Sequence, residues 1–338
     1  MKWMNKLEEL LNIPSPTGDT EEAIAFVEKE FKTLKVPTER TNKGALLATI
    51  EGESDEAITF SAHVDTLGLM VKEIKSNGRL RLSKVGGFSW ISVEGEYVTI
   101  STLDGKEYTG TVLSTKASTH IFSDETNNMK RDDDNMEVRI DEKVESKEDV
   151  EKLGIRVGDF CYLDPRAELT ESGFVKSRHL DDKAAVIILL QLAEKIKKSG
   201  KPKKTINFLI SNYEEVGHGA TARIPENTRV FFAVDMANPG PGQESSEYSV
   251  TIAAKDSSGP YDLGLRKELV ALAEKHKISY KTDIYNYYGS DASAALRAGH
   301  DIRAALVGPG VDASHSMERT HKDAIDETVK LLVAYVEV

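Results

Sequence analysis

Cysteine is almost missing from the chain: Cys161 is the only one among 338 residues. That excludes an internal disulfide and any metal site built from clustered thiolates, and a lone thiol fits a reducing compartment. Long apolar runs are also missing. No stretch approaches the roughly 18 uninterrupted apolar residues of a membrane span, so no membrane partner is expected. Positive charge is scarce, with 44 Lys and Arg against 56 Asp and Glu and a net charge of -12. Such a surface repels phosphate backbones and anionic lipid, so nucleic acid is not an expected partner. The segment from Met1 to Leu11 mixes charge into a helical apolar pattern instead of the apolar middle of a secretory signal, and cytoplasmic residence is expected.

What is present reads as a soluble α/β protein. At roughly 100 to 200 residues per domain, the length suggests two domains, or one carrying an insertion. A first amphipathic helix stops at Pro14-Ser15-Pro16-Thr17-Gly18, and a second is expected from Asp19, whose side chain would cap it while Glu22 completes a capping box. Ala45 to Ile50 and Ala57 to Ala62 read as neighbouring strands joined by a polar turn. From Val71 to about Asp164 the texture changes to period-2 runs such as Arg79-Leu80-Arg81-Leu82, broken at Asn77-Gly78 and Asp104-Gly105, which predicts a small all-β unit. Helix and strand patterns then alternate again, with a helix from Asp182 to Lys198, strands at Thr205 to Ser211 and Arg229 to Val234, and a helix from Gly264 to His276. The economical arrangement is one α/β domain, residues 1–70 and 165–338, with a β-domain, residues 71–164, inserted through its sequence.

Candidate chemistry gathers at the ends of these strands, where open α/β sheets place their sites. The groups are Ser61-Ala62-His63-Val64-Asp65, His179-Leu180-Asp181-Asp182-Lys183, Asn212-Tyr213-Glu214-Glu215-Val216-Gly217, Asp235 after Val230 to Val234, and Ser314-His315-Ser316. The Asp65 carboxylate is placed to hold the His63 imidazole in one tautomer. Taken singly, Asp181-Asp182 reads as a helix cap and Glu214-Glu215 as surface charge. Jointly, carboxylates and imidazoles after successive strands, with no cysteine among them, suit zinc, cobalt or manganese. Their number suggests two ions sharing a bridging carboxylate.

The order His-x-Asp, Asp-Asp-Lys, Glu-Glu-Val-Gly, Val-Asp, His-Ser resembles that of the tetrahedral aminopeptidases, metallopeptidase family 42, which include glutamyl, leucyl and lysyl aminopeptidases. Val85-Gly86-Gly87, Leu153 to Asp159, Glu214 to Ala220 and Gly289-Ser290-Asp291-Ala292 also match, and the resemblance runs from the first helix to the last. It implies a mixed-sheet dinuclear metallopeptidase domain with an inserted PDZ-like β-barrel that serves oligomerisation. His63 and Asp235 would hold one metal, Glu215 and His315 the other, and Asp181 would bridge them. Glu214 would be the catalytic base, with Asp65 supporting His63. The implied cofactors are two divalent ions, zinc or cobalt first and manganese as a further candidate. The implied partners are short peptide substrates and further copies of the chain, up to a dodecamer. Asp312-Ala313-Ser314-His315-Ser316 departs from the usual Arg-Tyr-x-His-Ser and His321 follows six residues on, so the last ligand is His315, the preferred reading, or His321.

Two other readings compete. A glycoside hydrolase would use a carboxylate pair such as Glu214 and Glu215, but adjacent residues of an extended segment point to opposite sides, and His63 and His315 would be idle. A catalytically inactive metal-binding or scaffold member of the same fold should lack a ligand or the base, and none is missing from the sequence.

Overall fold

The structure, a computed structural model, describes residues 2–337; Met1 and Val338, the ends of the expected α/β domain, lie outside the described residues. The chain forms two compact units, one running up to Thr66 and resuming at Arg166, the other Leu67–Pro165. A nine-stranded sheet organises the first unit. Its order is Thr38–Arg40, Leu46–Ile50, Lys204–Ser211, Ser54–His63, Thr228–Val234, Arg303–Pro309, Val250–Asp256 and Gly259–Pro260, with Tyr280–Ile284 also paired to Val250–Asp256. Lys204–Ser211, Ser54–His63, Thr228–Val234 and Arg303–Pro309 run parallel, so four successive strands end at one edge, with Ser211 registered against His63 and Val234 against Val307.

Both faces of the sheet are covered, which is why its strands read as nearly continuous apolar runs. Ile206, Phe208, Ile210, Val230, Phe232 and Val234 enter the large core, together with side chains from helices Lys2–Leu11, Glu21–Thr33, Leu180–Ser199, Leu263–His276 and Lys322–Val336. The alternating residues Leu209, Phe231 and Ala233 enter a smaller core that includes Ala292 and Ala295 of helix Asp291–Arg297. Phe60 stacks between Phe208 and Phe232, its ring centroid 6.2 and 5.0 Å from theirs. Helix Leu180–Ser199 is buried without a break from Leu180 to Leu190, so it shows little amphipathic period. Its backbone is non-helical at Asp181 and Asp182, and the peptide bond between them is cis.

Three local expectations change. Leu46–Ile50 and Ser54–His63 are not neighbours, because Lys204–Ser211 lies between them, antiparallel to the first and parallel to the second; a short connection permits adjacency without requiring it. The second helix starts at Glu21 after Thr20, with no side-chain cap bond. Asp19 belongs instead to the preceding turn, donating its N–H to the Pro16 carbonyl at 2.8 Å while Gly18 takes a φ of +101°. The inserted unit closes six antiparallel strands into a barrel, Gly68–Ile74, Leu80–Val85, Met136–Ile140, Glu107–Ser114, Tyr97–Ser101 and Phe160–Leu163, around Leu69, Val71, Leu82, Ile100 and Cys161. It is not all β, since helices Thr119–Phe122, Asp124–Asn128 and Lys147–Leu153 interrupt it. The last of these is announced by Ser146, whose hydroxyl accepts the Asp149 N–H, and by Gly154 in the left-handed region, a start and stop that a period-2 reading passes over. The mixed α/β sheet with an inserted small barrel is as expected.

Lys183 sits one position past the interrupted turn of helix Leu180–Ser199 and has no exposed surface. Its Nζ donates to the carbonyl of Ile13 at 2.6 Å and to that of Leu10 at 3.1 Å, which also accepts the Ile13 N–H, just past the end of helix Lys2–Leu11. Burial pushes its pKa down to about 7. Lys183→Met keeps most of the volume but removes both bonds, and should lower unfolding stability by about 1–3 kcal/mol in urea titrations.

Candidate active site

The four parallel strands each deliver a side chain to the same edge. His63 ends its strand, Glu214 and Glu215 follow Ser211 in a tight turn, Asp235 follows Val234, and His315 comes from the loop after Pro309. Asp181 joins them from the start of its helix. The carboxylate of Asp181 is shared between the two imidazoles: Oδ1 lies 3.2 Å from His63 Nε2 and Oδ2 lies 3.3 Å from His315 Nε2. Glu214 Oε2 lies 3.7 Å from His63 Nε2, and Glu215 Oε2 lies 3.6 Å from His315 Nε2. The turn closes with the Gly217 N–H on the Glu214 carbonyl at 2.7 Å, and it sends the two neighbouring glutamates to different imidazoles.

Two donor groups emerge. One ligand atom each from His63, Asp182 and Asp235 lie within 4.8 Å of one another, and so do those from Asp181, Glu215 and His315. All the expected site residues are thus brought to one place, and Asp182 joins them, its Oδ2 also accepting the His63 N–H at 3.2 Å. His321 stands elsewhere. Its Nδ1 accepts the Asp323 N–H at the start of helix Lys322–Val336 and its Nε2 faces the Ser172 carbonyl at 2.9 Å, so it caps a helix.

Asp65 holds the site through two different groups, its backbone carbonyl and its carboxylate. His63 Nδ1 faces the Asp65 carbonyl at 2.8 Å, while the Asp65 carboxylate is 3.5 Å away. A carbonyl only accepts, so Nδ1 carries a proton and Nε2 is the ring atom that faces the cluster. The carboxylate receives the N–H groups of Glu214 at 3.1 Å and Glu215 at 3.2 Å, and the Thr17 hydroxyl at 2.7 Å. Sequence reasoning passed over two further buried carboxylates. Asp291 accepts the Ser61 and Ser211 hydroxyls at 2.6 Å each and the Ala220 N–H at 2.8 Å, tying two central strands to the loop after Glu215. Glu318 accepts from the backbone of Asp181 and His315. The motif around Asp291 signalled the first; nothing local signalled the second.

Negative charge dominates the electrostatics. Burial pushes the pKa of Glu214 and Asp182 well up, that of Glu215 to about 8 and that of Asp235 to about 7, with the charge of Asp181 the next cause for the last two. Asp181 moves the other way despite its burial, because the hydrogen bonds from His315 and His63 hold it below the usual carboxylate range. Asp182 Oδ1 and Glu215 Oε1 are buried with no hydrogen-bond partner among the described residues. Unpaired buried carboxylate oxygens beside two imidazoles form a donor set that fits divalent cations. The cluster opens onto a cavity of about 230 Å³ lined also by Met236, Tyr288 and Arg297.

Comparison with known proteins agrees with this chemistry. The chain is 53% identical to YhfE of Bacillus subtilis (strain 168) over 338 residues, covering 99% of this chain and 97% of that protein. It is 24% identical to the glutamyl aminopeptidase of Lactococcus lactis subsp. cremoris over 326 residues, covering 94% and 90%. The solved structure of PhTET1-12s, a dodecamer in its asymmetric unit, superposes with a TM-score of 0.86 at 26% identity over 99% of both chains. Residues 44–331 match the model of the M42 glutamyl aminopeptidases, and the chain belongs to that family of metal-dependent peptidases.

Proposed function

We propose that the protein is a dinuclear metal-dependent aminopeptidase that removes N-terminal residues from short peptides. The observation that carries this reading is the Asp181 carboxylate set between His63 and His315, one oxygen facing each imidazole. His63 and Asp235 would hold one divalent ion, Glu215 and His315 the second, and Asp181 would be shared between them. Carboxylate and imidazole donors without thiolate suit zinc or cobalt, and manganese as a further candidate. Two such ions, when bound, supply Lewis acidity to the scissile carbonyl, a lowered pKa for the attacking water and a seat for the substrate's free α-amine.

The protein's own groups do the rest. Glu214 takes a proton from the attacking water at its carboxylate and delivers it to the leaving amine nitrogen. Burial raises its pKa, which strengthens it as a proton acceptor. Asp65 fixes the backbone of Glu214 and Glu215, so base and ligand keep their spacing through the cycle. In the same reading residues 1–70 and 165–338 are the catalytic domain, and residues 71–164 serve assembly of a cytoplasmic homo-oligomer. The dodecameric state of PhTET1-12s supports that assembly role. A glycosidase pairing of carboxylates has less support, because both candidate glutamates are committed to imidazoles.

Three outcomes test the proposal. Glu214→Gln should still bind two divalent ions per chain by elemental analysis while kcat falls about 100- to 10,000-fold; one ion at full wild-type activity contradicts the dinuclear reading. Replacing His315 by Ala should remove one ion, whereas His321→Ala should keep both and cost only the helix cap, about 0.5–2 kcal/mol in thermal unfolding. Acetylating a short peptide's N-terminus removes the amine, so kcat/KM measured against the free peptide should drop by orders of magnitude. Equal cleavage of the two would reject exopeptidase action.

A further inference from the structure

Glu318 has no exposed surface, yet it lies in the first position of a strand that approaches the site from the far side. The three-stranded sheet Glu168–Leu169, Phe174–Ser177 and Glu318–His321 registers Ser177 against Glu318, which sets this side chain where the chain leaves Ser177 for Asp181. Its two oxygens are used separately. Oε2 accepts the Asp181 N–H at 3.0 Å and Oε1 accepts the His315 N–H at 3.0 Å. The side chains of those same two residues meet at 3.3 Å, so one carboxylate fixes from behind the backbone of a pair that meets in front.

The backbone of both residues needs such a hold. His315 has a φ of +62° and Ala313 a φ of +57°, the left-handed region that non-glycine residues seldom adopt. Asp181 has φ −73° and ψ 106° at a point where its helix is interrupted. A buried N–H that loses its acceptor is costly, and here one buried carboxyl satisfies two such groups and anchors both departures. Asp65 plays the matching part on the other glutamate turn, accepting the N–H groups of Glu214 and Glu215.

We propose that Glu318 is a positioning residue that locks Asp181 and His315 into one arrangement and thereby sets the affinity of the ion site formed by Asp181, Glu215 and His315. The inference rests on the dinuclear reading above. Groups that orient metal ligands from outside typically change metal affinity about 10- to 100-fold when lost. Glu318→Gln retains the length of the side chain but turns one acceptor oxygen into an N–H donor, so one of the two backbone N–H groups loses its acceptor and faces a like donor.

The test uses the full chain, freed of metal and titrated with Co(II) under calorimetry and visible absorption, alongside the melting temperature of the metal-free protein. Wild type should show two binding steps. In Glu318→Gln one step should weaken about 10- to 100-fold, and by more than the other, which has only the shared Asp181 in common with it. His315→Ala should abolish that same step. A carboxylate that serves stability alone would lower the melting temperature and weaken both steps equally, or leave both unchanged, and either result overturns the proposal. If the Gln variant does not fold, Glu318→Asp, one methylene shorter, must show the same selective weakening. Wild type binding fewer than two ions overturns the dinuclear reading itself, whereas two ions in wild type and an unaltered Gln variant overturn only the role of Glu318.

Discussion

Asp65, Asp181, Asp182, Asp235 and Glu318 are all buried at one edge of one sheet, with Glu215 beside them at 4% side-chain exposure. Removing a carboxylate from water is costly unless it is hydrogen-bonded or paired, and grouping several compounds the cost through their mutual repulsion. The fold answers in two ways. Asp65, Asp182, Asp235 and Glu318 accept backbone N–H groups, while Asp181 and Glu215 face the imidazoles of His63 and His315. Two imidazoles do not balance so many carboxylates. Burial first, and that imbalance after it, displaces Glu214, Glu215, Asp182 and Asp235 upward, and the two together make this edge a place for cations.

Concentrating this charge without losing the fold depends on the sheet. The parallel strands Lys204–Ser211, Ser54–His63, Thr228–Val234 and Arg303–Pro309 start with polar residues, run through mainly apolar middles that also bury Thr59, Ser61 and Asn207, and deliver the site's polar side chains at their final residues or just beyond. The stacked rings of Phe208, Phe60 and Phe232 hold the middle of these strands in register, so the side chains at their ends inherit a fixed spacing. Asp291 then cross-links two of the strands directly beneath the cluster through Ser61 and Ser211.

Much of this was legible in the sequence, for a physical reason. A ligand must be a particular residue type, and an apolar run followed at once by His, Glu or Asp reports both the strand and the end that carries chemistry. His63, Glu214, Glu215 and Asp235 are visible in this way. Asp181 and His315 are legible as candidates at a helix start and in a loop after a strand, but neither directly ends an apolar run, and their part in the site came only with the resemblance. Glu318 stayed hidden because its burial depends on the pairing of Phe174–Ser177 with Glu318–His321, and its bond to Asp181 spans 137 residues. In the linear sequence it is an acidic residue near a loop, which ordinarily means solvent. The insertion of Lys204–Ser211 between two strands close in sequence was hidden for the same reason, since strand neighbours are chosen by burial across the whole sheet.

The pair Glu214 and Glu215 shows how adjacent, chemically identical residues are given different work. An extended backbone would have sent them to opposite faces; the turn closed by Gly217 keeps both at the cluster but directs one toward His63 and the other toward His315. Their side-chain exposures then differ, 16% for Glu214 against 4% for Glu215. The more enclosed carboxylate, with one oxygen unpartnered, is suited to a permanent ligand. In the proposed mechanism the one nearer solvent exchanges a proton with substrate and water. Asp65 enforces the difference by holding both backbone N–H groups on one carboxylate, so the two side chains cannot trade places without breaking both bonds.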